Sequence, residues 1–181
     1  MNPNDFNPEE YLAIISAYPN GHCHPNLINW LRDIGIPANR IITHFNYKRD
    51  IISEYNYGIR EIALKSRYHR YIFADNDIQP NLKTTAPFLE LEADICCVEY
   101  PTELPCHKSW GLPSAYHSAL WRTTRTVLER MERPWFRYDP IEDGTAFRAC
   151  VCEDFAVRAL GEGHTIAHGG WANHVPQRRS R

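Results

Sequence analysis

Four short apolar runs most constrain what this chain can fold into: YLAIISAY (11–18), RIITHF (40–45), RYIFAD (70–75) and ADICCVEY (93–100). Each reads as a buried strand bounded by turn signals. The segments between them carry helical spacing instead. HPNLINWLRDIG sets Leu27, Trp30, Leu31 and Ile34 on one face and ends at the stop signal Gly35. SEYNYGIREIALKS reads as a second helix, with Ser53 as its N-cap and Ile59, Ile62 and Ala63 facing inward. NLKTTAPFLELE reads as an interrupted third. Strand and helix alternating at short intervals predict an α/β fold with a mostly parallel central sheet and crossover helices on its faces.

The second half is less regular. YHSALW is read as a strand and RTTRTVLERMER as a helix ending before Pro134. CEDFAVRALGEG is read as a helix with Glu153 and Asp154 in its first turn and Gly161 or Gly163 at its C-cap, and HTIAHGGW as a short strand and turn. Trp30, Trp121 and Trp135 are expected in the core. No internal repeat is found. At 181 residues and 43% hydrophobic, the chain suits one domain spanning 1–181, with a core over about 11–174. The basic tail 175–181 (Arg178, Arg179, Arg181) reads as a solvated end.

A net charge of −2 supplies no whole-molecule field for nucleic acid or an anionic membrane. The longest apolar run is far too short to span a bilayer, and the polar start MNPNDFNPEE is not a secretory signal. Six cysteines without such a signal read as reduced thiols, and the expected location is the cytoplasm, of a host cell if the source is a phage or virus. The HCH triplet at 22–24 lacks a second ligand pair at zinc spacing.

The chemistry concentrates in YIFADNDIQP. In open α/β sheets ligands bind beyond the carboxyl ends of the strands, where Asp75 and Asp77 fall. Two residues apart on an extended chain, their side chains would share one side. Like charges so close repel, and a divalent cation such as Mn²⁺ or Mg²⁺, completed by phosphate and water, relieves them. The competing reading is a turn, since Asp, Asn and Pro make good turns and caps.

Several segments, in order, resemble the GT-A family of nucleotide-sugar-dependent glycosyltransferases, in its small bacterial, phage or viral type. IISAYPNG resembles the first strand, YNYGIREIA the Asn-x-Gly-Ile-Arg helix start, and FADNDIQP the Asp-x-Asp motif. SALWRTTRTVLERM resembles the family's strand and helix, PWF with CEDFAVRALGEGHTIAH its acidic helix and following strand, and ANH its late metal-binding histidine. The likeness covers roughly 11–174. The chain is short for the family, leaving little sequence for an acceptor-binding insertion.

The resemblance implies a single Rossmann-like GT-A domain that moves a sugar from a nucleotide-diphosphate sugar to an acceptor hydroxyl. Asp77 would coordinate the metal, and Asp75 would reach the ribose, or the metal through water. His174 would be the third ligand, with His168 as its rival. Asp154 would be the general base, with Glu153 able to exchange roles. Ser16 and Tyr18 would meet the base, Arg49 and Arg60 the phosphates or a surface acid, Asp50 the base or ribose, Asn56 the donor pocket, and Asn76 the ribose or sugar. Trp110 and Trp171, each beside glycine, are candidates for stacking on the sugar or acceptor. The acceptor would be a glycan, or a hydroxymethylated base in phage DNA with the arginine tail on phosphate. Two other classes compete. A sugar-phosphate nucleotidyltransferase would need a Gly-rich, basic loop after the first strand, which AYPNGHCHPN lacks. A non-catalytic nucleotide-sugar-binding module would have no reason to keep all the acidic residues and His174 together.

Overall fold

The computed structural model describes residues 6–18, 21–100, 118–140, 147–149 and 151–174. In chain order they form β1 (Tyr11–Ser16), α1 (Pro25–Asp33), β2 (Ile41–His44), α2 (Ile51–Tyr57), β3 (Arg70–Asp75), β4 (Ile78–Gln79), α3 (Leu82–Glu90), β5 (Ile95–Glu99), β6 (Leu120–Thr124), α4 (Arg125–Arg130), β7 (Asp139–Pro140), β8 (Phe147–Ala149), α5 (Val151–Gly161), β9 (Ile166–Trp171) and β10 (Asn173–His174). Six strands make one sheet in the order β2-β1-β3-β6-β5-β9. The pairs β1–β2, β1–β3 and β5–β9 are parallel, and β6 runs antiparallel to both β3 and β5. The α/β class with a mostly parallel, helix-flanked sheet is therefore as expected.

All six residues of β1 are buried because both faces of the sheet are covered. Strand side chains alternate between faces, so β1 divides its residues between two cores. Leu12 and Ile14 join Tyr71, Phe73, Trp121, Val127, Leu128, Trp135 and Phe155 under α2, α4 and α5. Tyr11, Ala13 and Ile15 join Leu27, Trp30, Leu31, Ile72 and Phe88 under α1 and α3. Trp30, Trp121 and Trp135 are core residues, as read. The Trp30 indole N–H donates to Thr85 Oγ1 at 2.8 Å.

Three boundaries differ from the sequence reading. The N-cap of α2 is Asp50, not Ser53: its carboxylate accepts from the Ser53 N–H at 2.7 Å. That helix then continues as a π-helical stretch, Gly58–Ala63. Residues 122–124, expected as helix, extend β6, because ladders to β3 and β5 engage its backbone on both sides. Helical propensity yields there to pairing, and Thr124 becomes the N-cap of α4. β1 stops at Ser16, two residues earlier than read. Gly35 (φ +94) and Gly163 (φ +86) are the left-handed residues beyond α1 and α5.

Arginines close several helix ends from inside. Arg122, on β6, donates to the carbonyls of Phe88, Leu89 and Leu91 at the end of α3 and to the Tyr11 hydroxyl. Arg125 donates to the carbonyls of Ala63, Leu64, Ser66 and Tyr68 beyond the π-helical stretch. These carbonyls lie at or just past the helix ends, where intrahelical donors run out, and the cations also meet the negative ends of the helix dipoles.

Gly170 marks the tightest approach in the fold: at φ +67, a Cβ there would lie 2.4 Å from the Thr84 carbonyl oxygen. A Cβ at Gly161, in α5, would meet nothing within 4 Å. Gly170→Ala is expected to lower the unfolding free energy by at least about 2 kcal/mol, and Gly161→Ala to change it by less than about 1 kcal/mol. Urea denaturation of both variants checks the contrast.

Candidate metal centre and its surroundings

The chain switches sides of the sheet at β1, which lies between β2 and β3. The carboxyl ends of β1 and β3 therefore bound a crevice of the kind where α/β sheets take ligands. Ser16 and Asp75 are register partners across that pair, and Ser16 is also in register with His44 of β2. A row of polar side chains, His44, Ser16 and Asp75, thus crosses the strand ends.

Asp77 reaches this row by a turn and not by strand alternation. β3 ends at Asp75, residues 76 and 77 turn, and β4 pairs antiparallel with β10, Ile78 opposite His174 and Gln79 opposite Asn173. That two-residue ladder delivers His174 from the far end of the chain. Its Nε2 lies 3.2 Å from Asp77 Oδ1. One donor atom from each of Asp75, Asp77 and His174 falls within 4.8 Å of the others, and this is the one such group among the described residues. His168, the rival ligand, sits on β9 in register with Cys97 and is not part of the group. The Tyr100 ring packs against the His174 imidazole, centroids 5.0 Å apart.

The electrostatics of the cluster show surplus negative charge. Burial pushes the Asp75 carboxyl up to about 7, and Asp77 adds to the rise. The Tyr55 hydroxyl opposes it, lying 2.7 and 2.8 Å from the two Asp75 oxygens, and its own pKa is raised well above the ordinary value, by burial first and then by Asp75. His174 is raised from its ordinary value, chiefly by its hydrogen bond to Asp77. Two carboxylates and an imidazole, one carboxylate costly to ionise, make a donor set that fits a divalent cation.

The other expected site residues are distributed unevenly. Ser16 is buried and lines a narrow recess beneath Asp75 with Tyr55, Ile59, Phe73, Ala74, Ser118, Trp121 and Phe136. Tyr18 and Asp50 lie near the Tyr138 hydroxyl, which burial and then these two groups raise from its ordinary pKa. Asp50 is also the α2 cap described above. The Arg49 guanidinium stacks on Tyr57, 3.6 Å from the ring centroid, and meets Glu54 at 3.3 Å.

Four expected ligand-facing residues are committed to the protein itself. The Asn76 amide is buried and donates to the His22 carbonyl. The Asn56 amide braces the chain at Phe136, donating to its carbonyl and accepting from its N–H. Arg60 is exposed and paired with Glu61. Asp154 accepts from Arg137 at 3.3 Å and from Arg158 at 2.9 Å, while Arg158 also holds the carbonyls of Glu132 and Trp135. Glu153 lies on the buried face of α5, next to Cys152, whose sulfur is 3.1 Å from Ser118 Oγ. Trp171 is 46% exposed at the end of β9. Trp110 and the arginine tail lie outside the described residues.

Tyr55, His44, Glu54 and Tyr138 were not singled out from sequence. Tyr55 carried one legible signal, its place at the head of the YNYGIR segment; the others are joined to the site only by the fold.

No family model matches the chain, and no curated protein matches it. Among solved structures it is similar to the crystal structure of A197 from STIV, with a TM-score of 0.58 and 17% sequence identity over 93% of this chain and 86% of that one. At that identity the likeness is one of fold.

Because the folded state holds the Asp75 proton more tightly than the unfolded chain, stability falls as pH rises from about 4 to about 7. The raised His174 acts in the same direction, its stabilisation being lost as pH climbs through its folded-state pKa. With metal chelated, the unfolding free energy is expected to be lower at about pH 8 than at about pH 5, and Asp75→Asn to shrink that difference. Denaturation curves of both proteins at the two pH values test this.

Proposed function

We propose that this chain is a metal-dependent glycosyltransferase of the GT-A type, moving a sugar from a nucleotide-diphosphate sugar to an acceptor hydroxyl. The observation that carries the reading is the convergence of Asp75, Asp77 and His174 at the carboxyl end of a central strand, beside the switch point of a mostly parallel sheet. The same three residues stand in the Asp-x-Asp and late-histidine positions of the family-like segments.

In this reading Asp77 and His174 hold Mn²⁺ or Mg²⁺, and Asp75, steadied by Tyr55, joins them directly, through water, or by way of the ribose. When bound, the ion supplies positive charge against the diphosphate leaving group. The chain's own residues do the rest. Ser16, Tyr18, Arg49 and Asp50, at the ends of β1 and β2, face the nucleoside side of the crevice. Glu153 takes the acceptor proton in preference to Asp154, because both oxygens of Asp154 are already engaged by Arg137 and Arg158. Exposed Trp171 offers a face for a sugar ring. Among the described residues no helix is long and apolar enough to cross a membrane. The acceptor is a glycan or a modified DNA base.

Screening nucleotide sugars by thermal shift with and without Mn²⁺ identifies the donor, since a ligand of the native state raises apparent stability. With that donor, Asp77→Ala is expected to lose at least about a hundredfold in donor hydrolysis and transfer while keeping its fold. Glu153→Gln is expected to cut transfer by about a hundredfold or more. Asp154→Asn should chiefly cost stability, by about 3 kcal/mol, by leaving the buried Arg158 guanidinium short of its charged partner. Full transfer by Asp77→Ala would overturn the assignment.

A further inference from the structure

The sheet has a second polar edge, at the end opposite the metal cluster. A groove of about 290 Å³ lies there, lined by Tyr11, Arg70, Asp94, Arg122, Thr124 and Thr165 among others. That volume is near the lower end for small-molecule sites. Strand register explains the gathering. Tyr11, Arg70 and Thr124 are partners across β1, β3 and β6, and Arg122 stands two residues from Thr124 on the same face of β6. Tyr11 and Ser16, at the two ends of β1, are about 17 Å apart at about 3.3 Å per residue, so this groove is separate from the crevice.

Arg122 gives the groove its character. The residue is only 9% exposed, and no described carboxylate pairs with it. Nε and Nη2 donate to the Phe88, Leu89 and Leu91 carbonyls, and Nη1 donates to the Tyr11 hydroxyl at 3.1 Å. Carbonyl dipoles offset part of the cost of burying a cation, and a negative charge offsets more. A guanidinium has two N–H groups on Nη1, so one remains after the bond to Tyr11. Tyr11 accepts from Arg122, which leaves its own O–H proton for a second acceptor, and no described group takes it. The Arg70 guanidinium adds positive charge 5.9 Å from the Tyr11 ring centroid, partly offset by Glu10 at 3.1 Å.

The acids at this groove set what else a ligand can carry. Asp94 turns Oδ2 to the Thr165 N–H and hydroxyl at 2.8 and 2.9 Å, and no described group engages its Oδ1. Glu92, also on the lining, is exposed. A polyanion would meet these like charges, whereas hydroxyl or ammonium groups would find acceptors. We propose that the groove is a ligand site for a small carboxylic acid bearing hydroxyl or ammonium groups. Its carboxylate accepts from Arg122 Nη1 and the Tyr11 hydroxyl, and its donors face Asp94 and Glu92. Nothing in this site depends on the metal cluster or on the glycosyltransferase reading.

The test is a titration of ¹⁵N-labelled protein with glycerate, serine, citrate and inorganic phosphate, read from backbone amide shifts. Metal-stripped buffer keeps the crevice from recruiting a carboxylate through a bound ion. Glycerate or serine is expected to saturate, with the largest shifts at Tyr11, Arg70, Arg122 and Thr124, and citrate and phosphate to bind at least about tenfold more weakly. Arg122 also closes α3, so the variants are made at its neighbours. Tyr11→Phe keeps the ring, its unliganded spectrum reports whether the fold is kept, and it is expected to weaken binding about tenfold, the share of one hydrogen bond to a charged group. Exposed Glu92→Gln is expected to leave the unliganded spectrum nearly unchanged and to narrow the gap between citrate and glycerate. Shifts that do not saturate with any of the four probes, or that centre on Ser16 and Asp75, overturn the proposal. So does equal affinity in a folded Tyr11→Phe, or citrate binding the parent as tightly as glycerate and serine.

Discussion

Repulsion between Asp75 and Asp77 is the constraint around which the crevice is organised. A carboxylate at the buried tip of β3 is costly to ionise, and a second one two residues later raises the cost. Two described side chains answer that charge: the Tyr55 hydroxyl on both Asp75 oxygens and the His174 imidazole on Asp77. A protein with no use for the concentrated charge could have placed a neutral turn residue at either position. Two carboxylates with the Tyr55 hydroxyl on one and the His174 imidazole on the other form a donor set that a divalent cation would complete.

The same economy governs the positive charges. Arg122, Arg125 and Arg158 direct their guanidinium groups at backbone carbonyls and so tie strand, helix and loop together. Asp154 belongs to this framework, neutralising Arg158 at the point where α5 meets the loop before β7. An acidic residue in the first turn of a helix reads the same whether it serves a ligand or an ion pair, and here it pairs with Arg137 and Arg158. Glu153, one position earlier, lies on the buried face of the same helix. Adjacent helical residues point about 100° apart, and that rotation gives the two acids different neighbours.

Much of the sheet was legible because the strands β1, β3 and β5 are buried along nearly their whole length and appear as almost unbroken apolar runs. YLAIIS, RYIFAD and ICCVE could hardly be read otherwise. β6 was misjudged in length because LWRTT carries an arginine and two threonines, which suit a helix start as well as a strand. Only its two neighbouring strands settle the choice. Asn56, Asn76 and Arg60, expected to face a ligand, have protein partners that local pattern could not show. A polar side chain near a motif reads the same whether it faces a ligand or satisfies its own backbone, and the distinction lies in partners as distant as Phe136.

By itself the sequence determined the α/β class, the strand that ends in the acidic pair, and the chemistry that two nearby carboxylates invite, since these depend on local pattern and charge. The tertiary structure alone decided that His174 and not His168 lies with Asp75 and Asp77, that Asp154 is engaged by arginines, and that Ser16, His44 and Glu54 line up in one chain. Those outcomes rest on strand register and on a two-residue ladder joining positions nearly a hundred residues apart. No periodicity along the chain encodes them, because they are set by which backbone edges pair.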